Sequence, residues 1–234
     1  MTLQQIHERL LSWATAAPRE QDLLRAKKEH FDRYGEPHEE DRSYEVRVNG
    51  MLDHYLYEFR RDGGGTTLER FIEAEAPSLA PGELAAYRAL AQNVHGLFEV
   101  RKIKEGSVRL RDVFSGLDHD VTERRHIAGL EKDDLLEARL LPFETGLFFS
   151  GAFLYHAREA RKTVLAEVKR MKKAAPKGSA IDVKPFLARL AQMALKMERY
   201  RNVRLESIYD FSPDARIWTP RAPQGGGGAG ESQS

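Results

Sequence analysis

The apolar positions divide the chain into three stretches with different periods. In the first, Leu3, Ile6, Leu10 and Trp13 recur at the three-to-four spacing of an amphipathic helix, and Pro18 breaks the pattern. Leu23, Leu24, Phe31 and Tyr34 mark a second helix, which Gly35 ends. A polar, acidic connection over 35–43 follows. Val48, Met51, Leu52, Tyr55, Leu56 and Phe59 then form the apolar face of a third helix, stopped by Gly63, Gly64 and Gly65. Thr66 with Glu69 three residues later predicts a capping box for a helix carrying Leu68, Phe71 and Ile72. Pro81 suits the start of an Ala- and Leu-rich helix running to about Gln92.

At Gly96 the period changes to two. Runs beginning at Phe98, Ser107, Leu117, Asp134 and Gly146 alternate roughly between apolar and polar residues and are separated by glycine-bearing turns. They predict five strands in a curled antiparallel sheet or partial barrel, which protects its edges. The helical period then returns. Ala157, Ala160, Val164, Val168 and Met171 form one stripe; Phe186, Leu187, Leu190, Met193, Ala194, Met197 and Tyr200 form another. Two helices on a short loop predict an antiparallel hairpin.

The expected fold class is therefore α+β. A helical part spans 1–92, a small β-sheet or barrel 93–155, and a helical hairpin packed on the same domain 156–204. Residues 222–234 hold too little apolar surface to order themselves and are expected to form a disordered tail.

Composition narrows the function classes. The chain of 234 residues contains no cysteine, which excludes disulfides, thiolate–zinc sites and thiol nucleophiles. Its longest apolar runs fall short of the roughly 20 residues of a membrane span. Its first residues lack the pattern of a secretory signal, so a cytoplasmic location with no membrane partner is expected. Net charge is +1 but unevenly spread: 156–204 carries +10 and the remainder −9. That asymmetry points to an acidic partner, or to docking of the two halves.

The aromatic helix at 51–59, the glycine turn and TTLERFI at 66–72, the strand pair within 96–116, DVTER at 120–124 and DLLEARLLPF at 134–143 together form a pattern of glycines and hydrophobics. Over roughly residues 45–155 it resembles the helical-plus-strand domain of bacterial proteins, of largely unknown role, that often carry a separate SEC-C zinc motif. The resemblance implies a fold and very little function. The zinc motif is built on cysteines, so no metal role transfers, and no catalytic residue is carried over.

Each candidate cluster has a bland reading beside it. His38, Glu39, Glu40 and Asp41 are hard metal ligands by type, but neighbours in a loop rarely converge on one ion, and a solvated acidic linker accounts for them. Asp118 and Asp120 share one face of a strand, with His119 on the other; two carboxylates could hold a divalent cation in a metal-dependent hydrolase, although no third ligand is evident. His156 and Glu159 are read as a pair on one helix face, lacking the second motif of a di-iron bundle. His54 reads as a satisfied, half-buried histidine beside the apolar stripe. Gly63–Gly65 lacks the lysine and preceding strand of a phosphate loop.

The strongest signal is the basic hairpin, with Arg158, Arg161, Lys162, Lys169, Arg170, Lys172, Lys173 and Lys177 as the candidate partner-binding residues. The leading expectation is a non-enzymatic regulatory protein of the bacterial cytoplasm. It would bind an acidic protein surface through these residues, with no cofactor and no metal. Nucleic acid is the alternative partner, although no aromatic residues are interleaved for base stacking. Both readings assume that no polar groups gather elsewhere into a pocket.

Overall fold

The computed structural model describes residues 1–123, 129–176, 178–200, 202–212 and 215. Five helices come first: α1 (Leu3–Thr15), α2 (Glu20–Tyr34), α3 (Tyr44–Tyr57), α4 (Thr67–Glu75) and α5 (Pro81–Leu90). Five strands follow: β1 (Val94–Lys104), β2 (Ser107–Asp112), β3 (Asp118–Thr122), β4 (Leu135–Phe143) and β5 (Gly146–Tyr155). Helices α6 (Arg161–Ala174), α7 (Lys184–Arg199) and the short α8 (Leu205–Ile208) complete the described chain. The α+β architecture stands as the periodicity implies. The predicted tail at 222–234 lies outside the described residues.

The sheet goes further than a partial curl. Its order β1-β2-β3-β5-β4 closes into a barrel, with β4 returning to pair with β1. Four of the five pairings are antiparallel, but β3 and β5 run parallel, bringing Val121 opposite Leu147. The expected all-antiparallel sheet is corrected on this point. Strand β4 joins β1, which leaves β3 to meet β5.

Strand β4 explains how the molecule is layered. Successive side chains of a strand point to opposite faces. Leu136, Ala138 and Leu140 therefore enter the barrel, where they pack with Phe98, Val100, Val108, Leu110 and Val121. The other face of β4 points outward and is covered by helices, so the strand is buried on both sides. At one end of that face Leu141 and Phe143 join the core of α1, α3, α4 and α5 around Tyr55, Phe71 and Tyr87. At the other end Leu135, with Leu97 of β1, joins the core of α6, α7 and α8. Between these two apolar contacts stand Glu137 and Arg139.

Local signals behave as their chemistry demands. Thr66 accepts from the Glu69 amide at 3.2 Å while the Glu69 carboxylate accepts from the Thr66 amide at 2.6 Å, capping α4. Helix α2 departs from its apolar spacing: its buried residues are Asp22, Ala26 and His30, whereas Leu24 is half exposed. Asp22 faces inward because Arg70 of α4 meets it at 2.8 Å. The two carboxyl-terminal helices follow one another as expected. Helices α6 and α7 share an apolar cluster, but the backbone of α7 lies against α2. There Gln192 donates to the Arg33 carbonyl at 2.6 Å, and Arg199 pairs with Asp41 at 2.6 Å.

Candidate functional site

The polar stretch of the barrel's outer face meets a polar stretch of helix. Helix α3 is buried on almost every side from Met51 to Tyr57, which places Asp53 and His54 in the interior with Tyr55 and Leu56. Glu58 follows at its end. Helix α2 contributes His30 and Tyr34, β1 contributes His95, and β4 contributes Glu137 and Arg139. Together with Arg47, Gly50, Ala152, Leu154 and Ala191 they line a cavity of about 50 Å³. Gly50 of α3 and Ala152 of β5 form part of the wall. A Cβ at Gly50 would stand 4.0 Å from the Cβ of Ala152 and 3.9 Å from His30 Nε2.

Glu58 is the hub of the charge network. Its Oε1 accepts from His95 Nδ1 at 3.2 Å and from Arg139, and its Oε2 meets Lys184 at 2.8 Å. Burial alone would raise its pKa, but the neighbouring His54 ring, the bond from His95 and the Arg139 charge outweigh burial and hold it far below the carboxylate range. His95 is gripped on both ring nitrogens, since Nε2 lies 2.9 Å from Glu137. Burial and Arg139 oppose its charge, yet the bonds to Glu137 and Glu58 prevail and raise its pKa. Asp53 moves upward because burial dominates over Arg139 and a bond from Ser150. His30, stacked on Tyr34 with ring centroids 4.4 Å apart, is pushed down to about 3 by burial and the neighbouring His54.

The network does not saturate its members. His30 Nδ1, Asp53 Oδ2, His54 Nε2, Glu137 Oε2 and Arg139 Nε are buried and have no hydrogen-bond partner in the protein. All five residues line the cavity. Asp53 Oδ2 and Arg139 Nε nevertheless face each other at 3.6 Å, and His54 Nε2 stands 3.7 Å from Glu29, beyond hydrogen-bond length but within reach of an ion pair. A buried polar atom left without a hydrogen bond costs roughly 1–3 kcal/mol, so a lining this rich in charge suits a polar guest. The expectation that no polar groups gather into a pocket is thus corrected. The contributors span residues 30 to 191, and closure of the barrel against the helices is what brings them together. Among the described residues, no three His, Asp or Glu side chains are placed to hold a metal ion.

The other sequence candidates are dispersed. Asp118 and Asp120 do share a face, but each is engaged across the ladder by an arginine: Arg111 Nε reaches Asp118 at 2.8 Å and Arg109 reaches Asp120 at 2.7 Å. Asp41 is taken by Arg199, while Glu39 and Glu40 are exposed. His156 is buried at the end of β5 and Glu159 is exposed in the turn before α6, so they share no helix face. Of the basic residues, Arg158 pairs with Asp134 at 2.6 Å, Arg161 with Glu99, and Arg170 with Glu167 at 2.6 Å. Lys172 donates to the Val113 carbonyl at 3.3 Å. Lys162, Lys169 and Lys173 are exposed, at spacings that put them on one stripe of α6. Lys177 lies outside the described residues.

A family model matches residues 2–188, which include every charged residue of the cavity. The chain belongs to the family of unknown function DUF7986. No curated protein and no solved structure matches it. The cavity of this DUF7986 chain was missed by periodicity because its residues look like misplaced polar groups. The signal was nonetheless present: Asp53, His54 and Glu58 interrupt an aromatic helix, and Glu137 and Arg139 interrupt an apolar strand. No helix among the described residues is long and apolar enough to cross a membrane.

Proposed function

We propose that this chain is a binding protein for a small polar molecule held in the cavity between α2, α3, α7 and the outer face of β1, β4 and β5. The observation that carries the reading is the charged lining of this one cavity, formed by His30, Asp53, His54, Glu58, His95, Glu137 and Arg139, with His30 Nδ1 and Glu137 Oε2 buried and without a hydrogen-bond partner. Binding is favoured over chemistry because the charged groups of the lining hold one another. His95 is locked between two carboxylates, which fixes it as a positive strut rather than a free proton carrier.

Gly50→Ala gives a test that leaves the charges untouched. The added methyl would make only ordinary van der Waals contacts and would project toward His30 at the cavity wall. Alanine is favoured over glycine inside a helix by about 1 kcal/mol, so the variant should be at least as stable as the parent. A panel of small amides, amines and polyols is screened by thermal shift on both proteins. Members that stabilise the parent should lose at least tenfold in affinity on the variant. A panel with no effect on the parent, or with equal effects on both proteins, refutes the reading.

A second reading concerns α6. The exposed stripe Lys162, Lys169 and Lys173 supports electrostatic docking of an acidic protein partner. Nucleic acid is less well supported. In a five-stranded Greek-key barrel of the OB type, oligonucleotides lie on the β2–β3 face and between the β1–β2 and β4–β5 loops. Here that face bears the Arg109–Asp120 and Arg111–Asp118 pairs. The two loops are two-residue turns at 105–106 and 144–145, each with a glutamate. Replacing the three lysines with glutamate should abolish any salt-sensitive capture of an acidic protein; capture unchanged by that substitution would remove α6 from consideration.

A further inference from the structure

A groove of about 560 Å³ opens where the start of α3, the end of β5 and the second half of α7 meet. Its apolar walls come from Val46, Phe153, Leu154, Tyr155, Ala194 and Met197. None of these six side chains is fully buried, and Tyr155 is one of the exposed large apolar residues of the chain. A concave apolar surface left against water gains free energy when an apolar guest covers it.

The charges that line the groove decide what the guest carries. They belong to Arg42 and Glu198. Glu198 is engaged: its Oε1 accepts from the Ser43 amide at 3.0 Å and its Oε2 from the Ser43 hydroxyl at 2.7 Å. That hydroxyl in turn accepts from Arg47 Nε at 2.8 Å, so the buried guanidinium of Arg47 stands behind Glu198 and balances its charge. Arg42 has no such arrangement. It is exposed, its neighbour Asp41 is held by Arg199 at 2.6 Å, and no carboxylate among the described residues pairs with it. The groove therefore joins an apolar wall to one uncompensated positive charge. Glu198 beside it disfavours a doubly charged guest.

We propose that this groove binds a free medium-chain fatty acid, with the carboxylate on Arg42 and the alkyl chain along the apolar walls of β5 and α7. The site is separate from the charged cavity and stands or falls without it. Burial of methylene groups supplies the affinity, and Arg42 supplies the preference for an anionic head.

The test is calorimetric titration of the full chain with octanoate, decanoate and octan-1-ol. Affinity should rise about fourfold for each methylene added between octanoate and decanoate. Octanoate should bind about fivefold more tightly than octan-1-ol at low salt, an advantage that added salt reduces. Arg42→Ala, an exposed substitution that leaves the core alone, should remove this advantage and leave octan-1-ol unchanged. Arg88→Ala, on the exposed face of α5, should keep it. Ala194→Phe, which fills the groove, should weaken all three ligands while circular dichroism shows the parent's helix content. No binding of octanoate or decanoate to the parent overturns the proposal. Octan-1-ol binding as tightly as octanoate, or an advantage that survives Arg42→Ala, overturns the role of Arg42. A folded Ala194→Phe chain that binds as the parent does overturns the groove as the site. Sedimentation showing a parent dimer that Ala194→Phe splits would assign the groove to a second copy of the chain and equally overturn the proposal. The cavity reading is judged apart from all of these, by Gly50→Ala and the small-molecule panel.

Discussion

Histidines set the acid sensitivity of this molecule at the residue scale. His156 is buried, both its ring nitrogens lack a protein partner, and burial lowers its pKa to about 4 against opposing influence from Glu137 and with the help of Arg47. His30 is lowered to about 3, with His54, Glu58, His95 and Arg47 as its charged or titratable surroundings. Both groups bind a proton more readily in the unfolded chain, where the ordinary value of about 6.5 applies. Stability must therefore fall as pH drops below 6.5 toward the folded values. Between pH 7 and pH 5 each contributes a loss of roughly 2 kcal/mol. His95 has the opposite sign. Its pKa is raised, so its contribution is present at low pH and fades as pH climbs through the folded value. Urea unfolding at pH 7 and pH 5 should show a net loss, and His156→Leu should recover about 2 kcal/mol of the difference. An equal pH dependence in parent and variant would show that His156 is not held neutral.

Gly35 shows at the scale of an element how α2 is fixed to α7. Its amide donates to the Phe31 carbonyl at 2.9 Å and its φ of +85° turns the chain out of the helix. A Cβ there would stand 3.1 Å from Leu195 Cδ2 in the buried face of α7. Gly35→Ala therefore adds backbone strain and a clash, and should lower stability by about 2 kcal/mol in denaturant titration. An unchanged midpoint would mean that α7 shifts freely at this contact. The same contact explains what the sequence could and could not reveal. Thr66 and Glu69 announced α4 because a capping box is a local interaction. Strands β1 to β5 were legible because alternation is also local. The inward turn of Asp22 and His30 was not, because Arg70 and the cavity lie far along the chain. Sequence spacing ranked Leu24 above His30, and the tertiary contacts reverse that order. Candidate residues in α6 were legible as a charge block, but not their division into ion-paired arginines and exposed lysines. That division depends on acids at Glu99 and Asp134, contributed by β1 and the segment before β4.

The whole molecule is a barrel wrapped by helices on its outer face, and the charge network joins the two. Glu58 belongs to the helical layer, His95 and Arg139 to the barrel, and Lys184 to the start of α7, so one carboxylate links three parts of the fold. Apolar contacts also cross the boundary, through Leu141 and Phe143 on one side and Leu97 and Leu135 on the other. These shared cores require barrel and helices to unfold together. Far-ultraviolet circular dichroism, which reports the helices, and near-ultraviolet signals from Tyr55, Tyr57 and Tyr87 of the helical layer should then give coincident denaturation curves with the hydrogen-exchange protection of β1 and β4. Replacing Glu58 by Gln removes the negative centre while preserving shape, and strands His95, Arg139 and Lys184 with one another. Breaking a buried ion pair in this way costs about 3–5 kcal/mol, and the cost should appear as a lower midpoint for every probe at once. Were the barrel to keep its protection while the helices melted first, the network would be a local feature of the cavity. The parent's curves would already hint at this by separating, since the apolar contacts alone would then be too weak to hold the two layers as one cooperative unit.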